Sequence, residues 1–269
     1  MNQNIVCYLY TRFDSIQKIN DFTKYYKKYR PGLIHKLIIC FKLLNFEQLE
    51  NAQKSLKGIK FESFIDPCKD NDWDFGSYKR VAKKYYDKDI LFLNSHSYPI
   101  CHNWVKKLFL YKKNKTVIAT NASYESMLDS IKLKGQIHKI IRYIIRKHKF
   151  SKDFKNFPNP HIGTNSFLVN SKYFYNYIKN KNLKNKYETL KIESGKNSLT
   201  NYFKKKKFDI FLVNSDGNKF TESNWKLSET YMYKNQRKNI ISDKYTRSYN
   251  AANKLKKNIA MKNTWGEYE

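Results

Sequence analysis

Asp89-Ile90-Leu91-Phe92-Leu93-Asn94-Ser95-His96-Ser97 runs an unbroken apolar stretch straight into a polar turn. A continuous apolar run, rather than an alternating one, marks a strand covered on both faces, as in a parallel sheet wrapped by helices. Upstream, Ile5–Tyr10 and Leu37–Leu44 repeat the pattern, and Phe61–Ile65 is a weaker run closed by Asp66-Pro67. Between the runs the period changes. Leu49, Ala52 and Leu56 share one helical face, and Tyr78, Val81, Ala82 and Tyr85 fall at i, i+3, i+4 and i+7. Downstream, Trp104, Val105, Leu108 and Phe109 mark a further helix, and Thr116–Thr120 a fifth strand. Strand-helix units repeated in this way predict an α/β fold. Its mostly parallel sheet is flanked by helices, with ligands at the carboxyl ends of the strands.

Beyond residue 125 the rhythm alters. Residues 1–125 read as one half of a domain, 126–233 as its second half, and 234–269 as a basic C-terminal extension of helix and loop. Ile137, Ile140, Ile141, Ile144 and Ile145 form an apolar stripe, with Lys139, Arg142, Arg146 and Lys147 mostly on its flanks and far side. A helix packed on the sheet is the expectation; the other reading is a basic helix resting on an acidic membrane. Ile162–Val169 and Phe208–Val213 read as strands, with a helix at about Ser198 to Lys205 between them.

The chain has 269 residues, 41% of them apolar and 16% aromatic, which suits a folded core and excludes a disordered chain. Its 53 Lys and Arg against 23 Asp and Glu give a net charge of +30. Lysine is abundant even beside core strands, so the charge reads as a bias of the whole composition. No RNP-type strand, zinc-finger spacing or helix-turn-helix pattern accompanies it, and no specific nucleic-acid partner is expected. Attraction to an anionic membrane surface needs no such motif. No apolar run is long enough to cross a bilayer, and the N-terminus lacks a secretory h-region. The expected place is the cytoplasm, at most peripheral at the inner face of the membrane. The four cysteines, at 7, 40, 68 and 101, form no C-x-x-C pair and read as reduced thiols.

Several chemical motifs fail on inspection. Gly195-Lys196-Asn197-Ser198 lacks the earlier glycine of a phosphate loop, because position 190 is Leu. Asp70, Asp72 and Asp74 alternate as in a calcium loop, yet Val81 stands where the closing Glu belongs. Asp74-Phe75-Gly76 has neither the glycine loop nor the H-R-D of a kinase. What remains is polar residues at strand ends. Asp72-Trp73-Asp74-Phe75-Gly76-Ser77-Tyr78-Lys79 opens a helix after the third strand, and the Ile90–Leu93 strand runs into Asn94-Ser95-His96. With the distal segment Ile192-Glu193-Ser194-Gly195-Lys196-Asn197-Ser198-Leu199, this pairing resembles GT-A-fold glycosyltransferases, in particular the polysaccharide and lipopolysaccharide enzymes related to rhamnan-synthesis proteins.

The resemblance implies a GT-A-like, Rossmann-like sheet and transfer of a sugar from a nucleotide-sugar donor to a hydroxyl of a surface glycan or lipid-linked acceptor. It places Asp74 and Gly76 on the donor side, together with Asn94 and His96; Thr11 and Arg12 join them by their position just past the first strand. Glu193 is the candidate general base, with Asp216 and Glu222 in reserve. His161 and Asn165 belong to the acceptor side. Related folds hold Mn²⁺ or Mg²⁺ with an Asp-x-Asp where this chain reads Asn94-Ser95-His96. A divalent cation is therefore an open expectation: His96 is either a metal ligand or, protonated, a partner for the diphosphate. The departure also leaves room for a chain that has lost activity, a non-catalytic domain that binds nucleotide, glycan or an anionic surface. Trp73, Trp104 and Trp225 are stacking candidates, with core packing as the default.

Overall fold

Strand β1 (Ile5–Thr11) is buried along its whole length, as its unbroken apolar run predicts. It pairs in parallel with β2 (Lys36–Lys42) on one side and β4 (Asp89–Leu93) on the other, and β3 (Glu62–Asp66) extends the sheet beyond β2. A computed structural model describes residues 4–131 and 138–267. Helices α1 (Ile16–Lys28), α2 (Phe46–Ser55) and α3 (Trp73–Lys84) are the crossovers. Next come β5 (Tyr98–Pro99), α4 (Trp104–Phe109), β6 (Thr116–Ala119), β7 (Ala122–Ser123) and α5 (His138–Asp153). They are followed by β8 (His161–Ile162), β9 (Ser166–Asn170), α6 (Ser171–Ile178), α7 (Lys186–Ser194), α8 (Leu199–Lys205), β10 (Asp209–Val213) and β11 (Lys219–Phe220). A 3-10 helix (Glu222–Ser228), β12 (Ile241–Ser242), α9 (Lys244–Asn250) and α10 (Lys254–Trp265) complete the chain.

The eight-stranded sheet has the order β11-β10-β6-β9-β4-β1-β2-β3, and all but β9 and β11 point the same way. The chain moves outward from β1 to β3 and then returns to lay β4 against β1. Crossovers that diverge at neighbouring strands leave a crevice at their carboxyl ends, where Thr11 and Asn94 stand. Alternate residues feed the two faces. Cys7, Leu9, Cys40, Tyr78, Phe92 and Phe167 share one core cluster, while Val6, Tyr8, Phe41, Leu91, Phe22 and Trp104 share the other. All four cysteines are free, with Cys7 and Cys40 inside the core.

Three expectations are corrected. β2 ends at Lys42 rather than Leu44, because Leu43 adopts a left-handed φ of 59° that cannot continue a ladder. Ile162–Val169 is two strands, not one: β8 pairs with β7 in a small ribbon, and β9 inserts antiparallel between β4 and β6. The stripe of α5 does not pack on the sheet, since Ile140, Ile141, Ile144 and Ile145 are all exposed; Ile137 lies outside the described residues. The helix instead turns Phe150 inward, and Phe154 just past its end joins it on Leu128 and Ile131. No helix among the described residues is long and apolar enough to cross a membrane.

Candidate functional site

At the carboxyl end of β1, the turn is tied to the end of β4 through Asp14, a residue that sequence reading passed over. One carboxylate oxygen of Asp14 accepts from the Thr11 amide at 3.0 Å and the Thr11 hydroxyl at 2.7 Å, and the other accepts from the Ser95 hydroxyl at 2.7 Å. Thr11 is buried and acts by holding this turn, whereas Arg12 is exposed with its guanidinium 4.9 Å from the Phe13 ring centre. A groove of about 420 Å³ opens beside it, lined by Tyr10, Thr11, Arg12, Leu44, Gln48 and Asn51 among others. Its mix of amide side chains, a cation and apolar carbons suits a flat heteroaromatic ring.

Asn94 organises the turn after β4. Its side-chain oxygen accepts from the Ser97 hydroxyl at 2.8 Å and the His96 backbone amide at 3.2 Å, while its backbone N–H donates to the Asn165 carbonyl at 3.0 Å. The same side chain hydrogen-bonds to Asp74 in the first turn of α3. Burial pushes the Asp74 carboxyl up to about 6; Lys42 opposes the shift, and Asp14 and Glu193 add to it. Glu193, in the last turn of α7, accepts from the Thr164 hydroxyl at 3.0 Å. Burial raises its pKa above the ordinary glutamate value despite that bond. Asp74, Asn94 and Glu193, from three separate elements, therefore converge on one edge. Gly195 lets α7 stop just past Glu193: a Cβ there would lie 2.6 Å from the Lys191 carbonyl oxygen.

The C-terminal extension completes the site. β12 pairs with β5, and Arg247 of α9 donates to the His96 carbonyl at 3.1 Å while its guanidinium lies 4.8 Å from the Tyr98 ring centre. Burial lowers the pKa of His96, and Lys18, Lys244 and Arg247 lower it further. Asp14 opposes this shift, so His96 stands between one carboxylate and a group of cations. Tyr231 and Tyr245 sit within electrostatic reach of Glu193 and Asp243. Nothing in local sequence marks Lys244, Arg247 or these tyrosines, because each is brought in from a distant segment, and Asp14 shows its role only through its bond to Ser95, 81 residues away. Two buried polar atoms at this edge, His96 Nδ1 and Asn165 Oδ1, have no hydrogen-bond partner among the described residues.

Beneath α3 lies an ionic cluster. Lys42, only 1% exposed, donates to Asp72 at 2.7 Å and to the Trp73 carbonyl. Arg80 donates to Asp66 at 2.8 Å and to Asp72 at 3.0 Å, and Ser77 also donates to Asp66. Burial alone would raise Asp72, but its bonds to Arg80 and Lys42 hold its carboxyl below the usual value. Gly76 belongs to this cluster rather than to the crevice surface. It is buried, and a Cβ on it would fall 1.9 Å from the Asp72 carboxyl carbon.

His161 has its Nδ1 2.8 Å from the Asn159 carbonyl, and burial lowers its pKa. Asp216 pairs with Lys238 at 3.0 Å and Glu222 with Lys204 at 2.7 Å, both as surface ion pairs. Trp104 and Trp225 are fully buried core residues, and Trp73 is half-buried at a φ of 57°. Among the described residues, no three His, Cys, Asp or Glu side chains form a group able to hold a metal ion. At the turn, the side-chain oxygen of Asn94 is taken by the Ser97 hydroxyl and the His96 amide.

No protein family's sequence model matches the chain, and comparison with curated proteins finds no match. Among solved structures, it is similar to the galactosyltransferase LgtC in complex with donor and acceptor sugar analogues, at 10% identity and a TM-score of 0.43, over 78% of this chain and 73% of that one. It is similar to the mannosyltransferase Ktr4p from S. cerevisiae, at 10% identity and a TM-score of 0.39, over 66% of this chain and 59% of that one. It is also similar to the bifunctional IspDF from Campylobacter jejuni, at 13% identity and a TM-score of 0.43, over 81% of this chain and 52% of that one. The chain spans less than two thirds of the length of the latter two.

Proposed function

We propose that this chain is a glycosyltransferase that moves a sugar from a nucleotide-activated donor to a hydroxyl of a glycan or lipid-linked acceptor. The observation that carries the reading is that Asp74, beside Asn94 at the end of β4, lies within electrostatic reach of Glu193. The groove at Arg12, Leu44 and Gln48 takes the base. Asp74 accepts from a ribose hydroxyl, which is favourable because a charged carboxylate gains most from a donor in a poorly solvated place. The diphosphate lies toward Lys244 and Arg247, whose charges stabilise it as it leaves. Glu193 removes the proton of the acceptor hydroxyl while that oxygen attacks the anomeric carbon. The bond from that carbon to the diphosphate oxygen breaks, and its electron pair stays on the diphosphate. A raised pKa makes Glu193 a stronger base once it is ionised. No step needs a metal held by the protein; a divalent cation, where present, is carried by the diphosphate itself.

Thermal shift with a panel of nucleoside diphosphates, each with and without Mn²⁺, tests the donor site. The expected result is a selective shift for one nucleotide, lost in Asp74→Ala. Glu193→Gln then separates binding from chemistry: it should keep the shift and lose at least about a hundredfold in transfer rate. Unchanged turnover in that variant refutes the base assignment. Selective binding with no turnover of any sugar nucleotide in the wild type identifies a nucleotide-binding domain without catalysis.

A further inference from the structure

Among the described residues, nothing covers the isoleucines of α5. Ile140, Ile141, Ile144 and Ile145 are 39%, 67%, 57% and 63% exposed on a helix that already buries Phe150. Arg142, Arg146, Lys147 and Lys149 are exposed on the same helix, and the first acidic residue along it is Asp153, at its end. A side chain of this size left in water forgoes about 1.5–3 kcal/mol of burial. An apolar stripe edged by cations and free of acids complements a surface with negative charge at its rim and hydrocarbon just below. A second copy of a chain carrying +30 would bring like charges together around the same stripe.

We propose that α5 is an in-plane docking helix for an anionic lipid bilayer, with the isoleucine stripe immersed at the level of the acyl chains and the Arg and Lys side chains at the headgroups. The helix is anchored well enough to carry the molecule. Tyr187 donates to Asp153 at 2.7 Å, and the Lys196 amide donates to the Asp153 carbonyl at 2.7 Å. Lys196 closely follows Glu193, so docking sets the acceptor side of the crevice near the membrane. The docking stands apart from the transfer reaction, because vesicle binding alone reads it.

The test is sedimentation of the full chain with vesicles of phosphatidylcholine alone and of phosphatidylcholine mixed with phosphatidylglycerol. Binding is expected only to the mixed vesicles. The exposed pair Ile141→Ser with Ile145→Ser should weaken it at least about tenfold while the melting temperature stays unchanged. Ile141→Lys adds positive charge yet should also weaken binding, which separates immersion from diffuse attraction. Equal or tighter binding by Ile141→Lys overturns the proposal, as does failure of the wild type to bind mixed vesicles. A dimer that the Ser pair dissociates, with no vesicle binding, assigns the stripe to self-association instead.

Discussion

Asp74 shows at the scale of one residue how a site weakens the fold that holds it. Its carboxyl is raised from 3.8 to about 6 by burial, so between those values the folded state binds more protons than the unfolded one. Stability from this group is therefore present below about pH 4, falls as pH rises toward 6, and stays lost above. About 2 pH units correspond to at most about 3 kcal/mol. Asp74→Asn should raise the melting temperature at pH 7 and flatten its dependence between pH 4 and 6, while weakening nucleotide-diphosphate binding at least tenfold. A fall in melting temperature at pH 7 would show that Lys42 and Asn94 outweigh the burial. Glu193 is raised in the same direction, so the acid limb of the kcat/KM profile is expected above 4.5 and should disappear from any residual rate of Glu193→Gln.

At the scale of an element, α3 is held by ions rather than by its cap. Asp72 stands at the N-cap without capping its own helix and instead pairs with Lys42 and Arg80. Breaking a buried pair leaves the partner charge uncompensated, which costs more than the pair contributes. Arg80→Met, which leaves the buried Asp66 without its cation while Asp72 keeps Lys42, is expected to lower stability by about 3–5 kcal/mol in denaturant melts. Gly76→Ala should be costly for a steric reason, because the Asp72 carboxylate that its methyl would meet is fixed from two sides. The cost should drop sharply in the background of Asp72→Ala, and additive effects in that double-mutant cycle would exclude the clash. Asp74 leads this helix, so its direction into the crevice depends on the cluster beneath.

Across the whole molecule, the extension is part of the body. Trp265 is buried and donates to the Tyr231 carbonyl at 2.9 Å, and Met261 is buried beside it in sequence. Trp265→Ala is expected to cost about 3–5 kcal/mol, read as a shifted denaturant midpoint. The alternating strand and helix periods, the both-face burial of β4, the place of Asp74 at a helix start and that of Asn94 at a strand end were all legible in the sequence. Each is a local consequence of which side chains must leave water and of how many residues complete a turn. The reversal of β9 was not legible, because a fully buried strand reads the same in either direction. Nor was the exposure of the α5 stripe, since periodicity defines a face but not what covers it. Lys42, Asp72 and Arg80 are scattered charges in the chain, and only β2 laid under α3 makes them a cluster. Arg247 meets His96 across 151 residues through the pairing of β12 with β5. Short-range patterning along the chain was enough to place β1 to β4, the helices α2 and α3, and the strand ends that form the crevice, whereas α1, α6 and α7 carried no signal that was read. The tertiary structure decided which charges face one another there, because electrostatic partners are set by distance in space and carry no period along the chain.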